Sequence, residues 1–142
     1  MLVSTSNRES LKQAPLVFES VRVLEVELSR PLPALRAVDE QSGRRYRHIQ
    51  VLVRLHTYPL GVVELPLLKE RLPPAEYAPA IWQRLGPAIN AHLNQDGLPV
   101  ISRLTAAGLP HRGIAACLQL RQQFLASAPF VSIIVCTRDR TD

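Results

Sequence analysis

The chain of 142 residues contains no apolar run approaching the roughly 20 residues that a membrane-spanning helix needs. The longest apolar stretch near its C-terminus, residues 130–136, has the length of a strand. The first thirteen residues turn polar after Leu2 and Val3, so no hydrophobic core of a secretory signal is present. Residues 1–13 therefore read as a disordered tail, and the expected location is cytoplasmic. Cysteine is nearly absent: Cys117 and Cys136 lie in apolar surroundings, in no CxxC or Cys/His cluster. This excludes a disulfide framework and leaves two buried thiols as the plain reading, with a disulfide or a metal role as the alternative. Lysine is nearly absent too, with Lys12 and Lys69 against 15 arginines. The net charge of +5 is spread along the chain, and only Arg44, Arg45 and Arg47 cluster. Arginines scattered in this way, clustered only at Arg44-Arg45-Tyr46-Arg47, read as a soluble basic surface, so no nucleic-acid partner is expected.

The chemistry-bearing patterns are also sparse. There is no glycine-rich phosphate loop. Neither Ser102 nor Ser132 stands in a nucleophile elbow. The four histidines, His48, His56, His92 and His111, form no group with metal-ligand spacing. They read as structural or surface residues, and the metal-site expectation for this chain is none. Glu25, Glu27 and Glu64 fall on predicted strands, where pairing with Arg22 or Arg54 describes a solvated sheet face better than an acid/base pair.

What the sequence does contain is periodicity. Residues 17–28 are rich in β-branched residues and read as a strand, with a bulge where the alternation shifts near Val23 and Leu24. Residues 46–56 alternate strictly, placing Ile49, Val51, Val53 and Leu55 on one face. Residues 57–61 supply a turn, and residues 62–68 resume as a strand with Val63, Leu65 and Leu67 inward. Pro66 marks that strand as an edge or its end. Residues 75–94 carry Trp82, Leu85, Ile89 and Leu93 at helical spacing, with a kink or break expected at Gly86–Pro87. Gly97 suits a left-handed helix cap. Trp82 reads as a core residue, with a sugar-stacking platform as its functional alternative. Residues 98–101 suit a short strand. Residues 105–112 read as a linker, and residues 113–126 as a second helix with Ile114, Cys117, Leu118, Phe124 and Leu125 on its apolar stripe.

The expected organisation is thus a tail (1–13), an α+β domain (14–104) built from an antiparallel hairpin or small sheet with helices, a linker and helix (105–128), and a new beginning at residues 129–142. That last segment reads Pro-Phe-Val-Ser-Ile-Ile-Val-Cys-Thr-Arg-Asp-Arg-Thr-Asp. A continuous apolar run followed by a polar turn suits a parallel strand covered on both faces, with Thr137, Arg138, Asp139 and Arg140 at its carboxyl end.

Pro129, Val131–Val135 and Thr137–Arg140 together resemble the opening of family 2 glycosyltransferases of the GT-A fold. The resemblance covers about 14 residues directly, and residues 51–67 are similar more loosely to the N-terminal extensions of some bacterial members. It implies an α/β protein: an accessory domain followed by the first strand of a catalytic domain truncated after that strand. It implies transfer of a sugar from a nucleotide-diphosphate sugar to an acceptor that the sequence does not identify. Thr137, Arg138, Asp139 and Arg140 would then lie at the nucleotide, Asp139 bracing the turn through nearby N–H groups. The family's metal-binding Asp-x-Asp and base carboxylate are absent from these 142 residues. No cofactor is therefore expected in this chain, and a magnesium or manganese ion is expected only in a longer parent. The alternative is a non-enzymatic interaction module presenting residues 46–68 and the helix around Trp82.

Overall fold

The computed structural model describes residues 20–109 and 114–135. Its elements are β1 (Arg22–Glu27), β2 (Leu35–Arg36), β3 (His48–Leu55), β4 (Tyr58–Pro66), β5 (Arg71–Leu72), α1 (Pro74–Gln95) and α2 (Ala116–Ala126). The fold class is mixed α+β. A three-stranded sheet runs in the order β1-β3-β4, with α1 packed on β3 and β4, and β2 pairs with β5 in a small second sheet.

β3 occupies the centre because its alternation is strict. Ile49, Val51, Val53 and Leu55 are all fully buried, each contributing about 1.5–3 kcal/mol by leaving water. β4 runs antiparallel to it, with Val63 and Leu65 inward, and it is an edge strand, as Pro66 anticipates. β1 pairs with β3 in parallel, so the sheet is not purely antiparallel, and the chain crosses between them through β2.

Three sequence expectations shift. The turn expected over residues 57–61 contracts to His56 and Thr57, and β4 resumes at Tyr58. Both turn residues have positive φ, 54° and 69°, which matches the right-handed strand twist as two-residue hairpin turns require. The irregularity expected in the first strand lies instead between β3 and β4. Val53 faces Gly61 while Arg54 faces Pro59, leaving Leu60 as the extra residue; β1 itself keeps an unbroken register. Helix α1 runs on through Gly86 and Pro87. Pro79 and Pro87 both lie on the exposed side, away from the buried row of Tyr77, Ile81, Ile89 and Leu93.

The end of α1 obeys its sequence signal. Gly97 adopts φ 69°, its N–H donates to the Asn94 carbonyl, and the Leu98 N–H donates back to the Leu93 carbonyl at 2.8 Å. This pair of bonds satisfies carbonyls that a helix C-terminus otherwise orphans. Residues 98–101 form no strand; the Asn90 side chain clasps Ile101, donating to its carbonyl at 2.9 Å and accepting its N–H at 3.0 Å. The segment read as a linker is docked as far as it is described. Leu104 and Leu109 are buried, and the Leu109 N–H donates to the Leu28 carbonyl at 2.6 Å. Residues 110–113 lie outside the described residues, as do residues 1–19 and 136–142.

Gly97 and Gly108 separate conformational strain from steric contact. Both have left-handed φ, 69° and 70°. A Cβ at Gly97 meets nothing within 4 Å, whereas one at Gly108 would sit 2.1 Å from the Arg30 carbonyl oxygen. Gly97→Ala should cost about 1 kcal/mol, the ordinary left-handed penalty. Gly108→Ala should cost at least about 1 kcal/mol more, because backbone must move. Urea unfolding of both variants checks this; equal losses would mean that the 105–109 segment is not held against residues 28–30.

Candidate functional site

The ends of three elements converge at one corner of the domain. β1 ends at Glu27, β3 ends at Leu55 just before His56, and α1 ends at Gln95 with Asp96 as its cap. The carboxyl edge of parallel strands is where α/β sheets present functional groups.

Glu27 builds the corner. One carboxylate oxygen accepts the N–H of Ser29 at 3.0 Å, the Ser29 hydroxyl at 2.7 Å and the N–H of His56 at 3.0 Å. The other accepts the N–H of Thr57 at 3.0 Å. The Arg54 guanidinium donates to the Thr57 carbonyl at 3.1 Å from the other side. These bonds hold two non-glycine residues in the left-handed region, which costs roughly 1–2 kcal/mol per residue. Burial alone would raise the Glu27 carboxyl, but the bonds from Ser29, Thr57 and His56 outweigh it and hold it below its usual value.

The turn aims the His56 ring at Asp96. His56 Nδ1 lies 2.7 Å from Asp96 Oδ2, with both side chains almost wholly buried. His92 stands one helical turn before Asp96, so their side chains share a face, and its Nε2 lies 3.3 Å from the same oxygen. Tyr58 stacks on the His92 ring at 5.1 Å, and the two imidazole centroids are 5.3 Å apart. The first turn of α2 completes the set. The Cys117 N–H donates to Asp96 Oδ1 at 2.9 Å, and its thiol donates to Oδ2 at 3.0 Å.

This packing sets the charges. Burial would raise the Asp96 carboxyl, but the bonds from Cys117 and His56, with His92 nearby, hold it below its ordinary value. Burial lowers His92, opposed by Asp96. Burial and the Asp96 carboxylate push the Cys117 thiol up to about 11.

His56, His92, Asp96 and Cys117 offer ligand atoms that all lie within 4.8 Å of one another. Residue spacing predicted no such group, and the signal in the sequence is faint. Only the His92–Asp96 pair, four residues apart on a helix, is local. Of the other residues read from sequence, His48 faces Glu64 at 3.8 Å and Glu25 pairs with Arg54 at 3.1 Å. Arg22 binds Asp39 instead of a strand glutamate. Trp82 is half-buried against the core. His111 and Thr137, Arg138, Asp139 and Arg140, the residues expected at a nucleotide, lie outside the described residues. Among the described residues, no helix is long and apolar enough to cross a membrane. Comparison of the chain with family models, with curated proteins and with solved structures finds no match.

Glu27→Gln should destabilise the protein at pH 7 by about 1.5–3 kcal/mol, the weight of hydrogen bonds to a charged acceptor. Because the folded carboxyl titrates below its unfolded value near 4.5, this stability is present above that pH. It should be lost as pH falls through the folded value. Urea unfolding of both proteins between pH 7 and pH 3 tests it: the gap should close in acid, and a constant gap would assign the effect to packing.

Proposed function

We propose that this chain forms the amino-terminal part of a family 2 glycosyltransferase, in which an accessory α+β domain leads into a GT-A catalytic domain. The observation that carries the reading is the state of the apolar run resembling the family's first strand. Phe130, Val131, Ile133, Ile134 and Val135 are 73–101% exposed, and residues 131–135 join no sheet of the described residues. A self-contained interaction module would bury such a run in its own sheet, since exposed apolar segments of this kind invite edge pairing and aggregation. A parallel strand that draws both its neighbours from a separate catalytic domain would look as this one does.

Helix α2 supports the same reading. None of its side chains is buried, and Leu120, Phe124 and Leu125 are exposed. A second domain packing on this helix would cover them. In that assembly the described domain orients the catalytic domain, and Thr137, Arg138 and Arg140 border the nucleotide of the sugar donor. The cytoplasm is the compartment in which nucleotide sugars would reach it. The magnesium or manganese ion of such enzymes would be held by carboxylates outside these 142 residues, because no Asp-x-Asp is present.

Two measurements test the proposal. A chain ending at Ala128 should elute as a sharper, more monomeric peak than the chain ending at Asp142. Its melting midpoint should fall within about 2 °C of the longer chain's, since 1 kcal/mol corresponds to only a few degrees. A drop of several degrees would place the run in this domain's own core and undo the reading. In the polypeptide continuing past Asp142, Arg138→Ala and Arg140→Ala should each weaken nucleoside-diphosphate binding about tenfold or more, as the loss of a charged contact predicts. Unchanged calorimetric affinity in both variants, or a continuation without Asp-x-Asp, would remove the assignment.

A further inference from the structure

We infer that His56, His92, Asp96 and Cys117 bind a single zinc ion that clamps α2 to the end of the domain. The inference stands on the described residues alone and holds whether or not the glycosyltransferase reading does.

The donor set comes first. Two imidazoles, a thiolate and a carboxylate are the ligands of tetrahedral zinc. A thiolate with imidazoles selects against magnesium, manganese and calcium, which prefer all-oxygen sites. The site is therefore chemically distinct from the magnesium or manganese site of a nucleotide-sugar enzyme. Thiolate and carboxylate together carry two negative charges, which a divalent cation neutralises.

Geometry agrees. Zinc bonds of about 2.0–2.3 Å put neighbouring ligands about 3.3–3.8 Å apart in a tetrahedron. The separations here are 3.3 Å for His92 to Asp96, 3.0 Å for Cys117 to Asp96 and 2.7 Å for His56 to Asp96. Cys117 Sγ to His92 Nε2 is 3.9 Å. Closing around an ion requires Asp96 Oδ2 to withdraw from His56 by about half an ångström and the widest pair, within 4.8 Å, to draw in by up to about 1 Å.

The four groups also converge on one point. Three groups, from His56, His92 and Cys117, converge on Asp96 Oδ2, while Oδ1 receives the Cys117 N–H. A cation at the point of convergence satisfies all four groups at once. Asp96 also caps the negative pole of α1, where a bare carboxylate is disfavoured and a cation favoured. On binding, the thiol proton of Cys117 passes to solvent, and His56 presents Nδ1 as the neutral ring with its proton on Nε2.

The burial of the set points to a structural ion. His56, His92 and Asp96 are 3%, 6% and 8% exposed, and four protein ligands leave no position for substrate. The ion would join the end of β3, the end of α1 and the start of α2. For α2 this matters most, because no side chain within it is buried.

The test uses the tag-free 142-residue chain, equilibrated with zinc and then desalted. Elemental analysis should find one zinc per chain, and the melting midpoint should rise by several degrees over the metal-stripped protein. Cobalt(II) exchanged into the site should give a near-ultraviolet thiolate-to-metal band with the visible absorption of tetrahedral cobalt. Cys117→Ser should abolish the band and the thermal response and weaken zinc binding on the order of a hundredfold. Cys136→Ser should retain all three. Substoichiometric zinc with no thermal response overturns the inference, leaving the four residues as a hydrogen-bonded clasp. A cobalt band that survives Cys117→Ser but vanishes in Cys136→Ser places the metal elsewhere and overturns it as well.

Discussion

The Asp96 carboxylate is the point on which the far end of this domain depends. Burying a carboxylate costs several kcal/mol unless its oxygens are satisfied. Here the satisfying groups come from three elements otherwise separate in the chain. His56 lies just past β3, His92 belongs to α1, and Cys117 opens α2. Each partner is positioned by a different device. A glutamate-pinned left-handed turn sets His56, helical periodicity sets His92, and a backbone N–H at the helix start sets Cys117. Hairpin turn, helix cap and second helix are thereby coupled through one side chain.

That coupling explains which parts of the structure were legible in the sequence. β3 could be read directly because four inward residues alternate without exception, and period two has no other local explanation. The cap at Gly97 was legible for the same reason, a left-handed residue being a backbone requirement that glycine meets. The corner was not. His56 and Asp96 are 40 residues apart, and Asp96 and Cys117 are 21 apart. Spacing rules capture ligand groups that share a turn or a helix, and this group is assembled by tertiary packing.

The misplaced turn has a related cause. Pro59 and Gly61 are turn residues by local preference, and the hairpin nevertheless closes at His56–Thr57, where neither residue favours positive φ. Glu27, from a strand 29 residues earlier, supplies the bonds that stabilise it. Local propensity was overruled by a long-range carboxylate, and the result is the orientation of His56 toward Asp96. The uninterrupted α1 is a second case. A proline inside a helix costs about 3 kcal/mol, and Pro79 and Pro87 are tolerated with their rings on the exposed side while Tyr77, Ile81, Ile89 and Leu93 bury the opposite one.

The second helix then acquires a meaning that its own residues do not give it. Leu120, Phe124 and Leu125 face outward, and the contacts tying the helix to the domain gather at its start and on one side. They are buried Ala115, the Cys117 bonds to Asp96, and the Arg121 guanidinium on the Thr57 hydroxyl. Thr57 belongs to the same turn that carries His56, so both ends of this attachment lead back to Glu27 and Asp96. A helix held at one end acts as a lever on the chain beyond it. Under the proposed reading, the chain beyond Ala126 enters the first strand of the catalytic sheet. The angle at which that sheet leaves the accessory domain would then be set at the Cys117 end of α2 and transmitted along its length. A clasp of hydrogen bonds yields to thermal motion more readily than four bonds to a metal, so occupancy of the corner would decide how rigid that lever is.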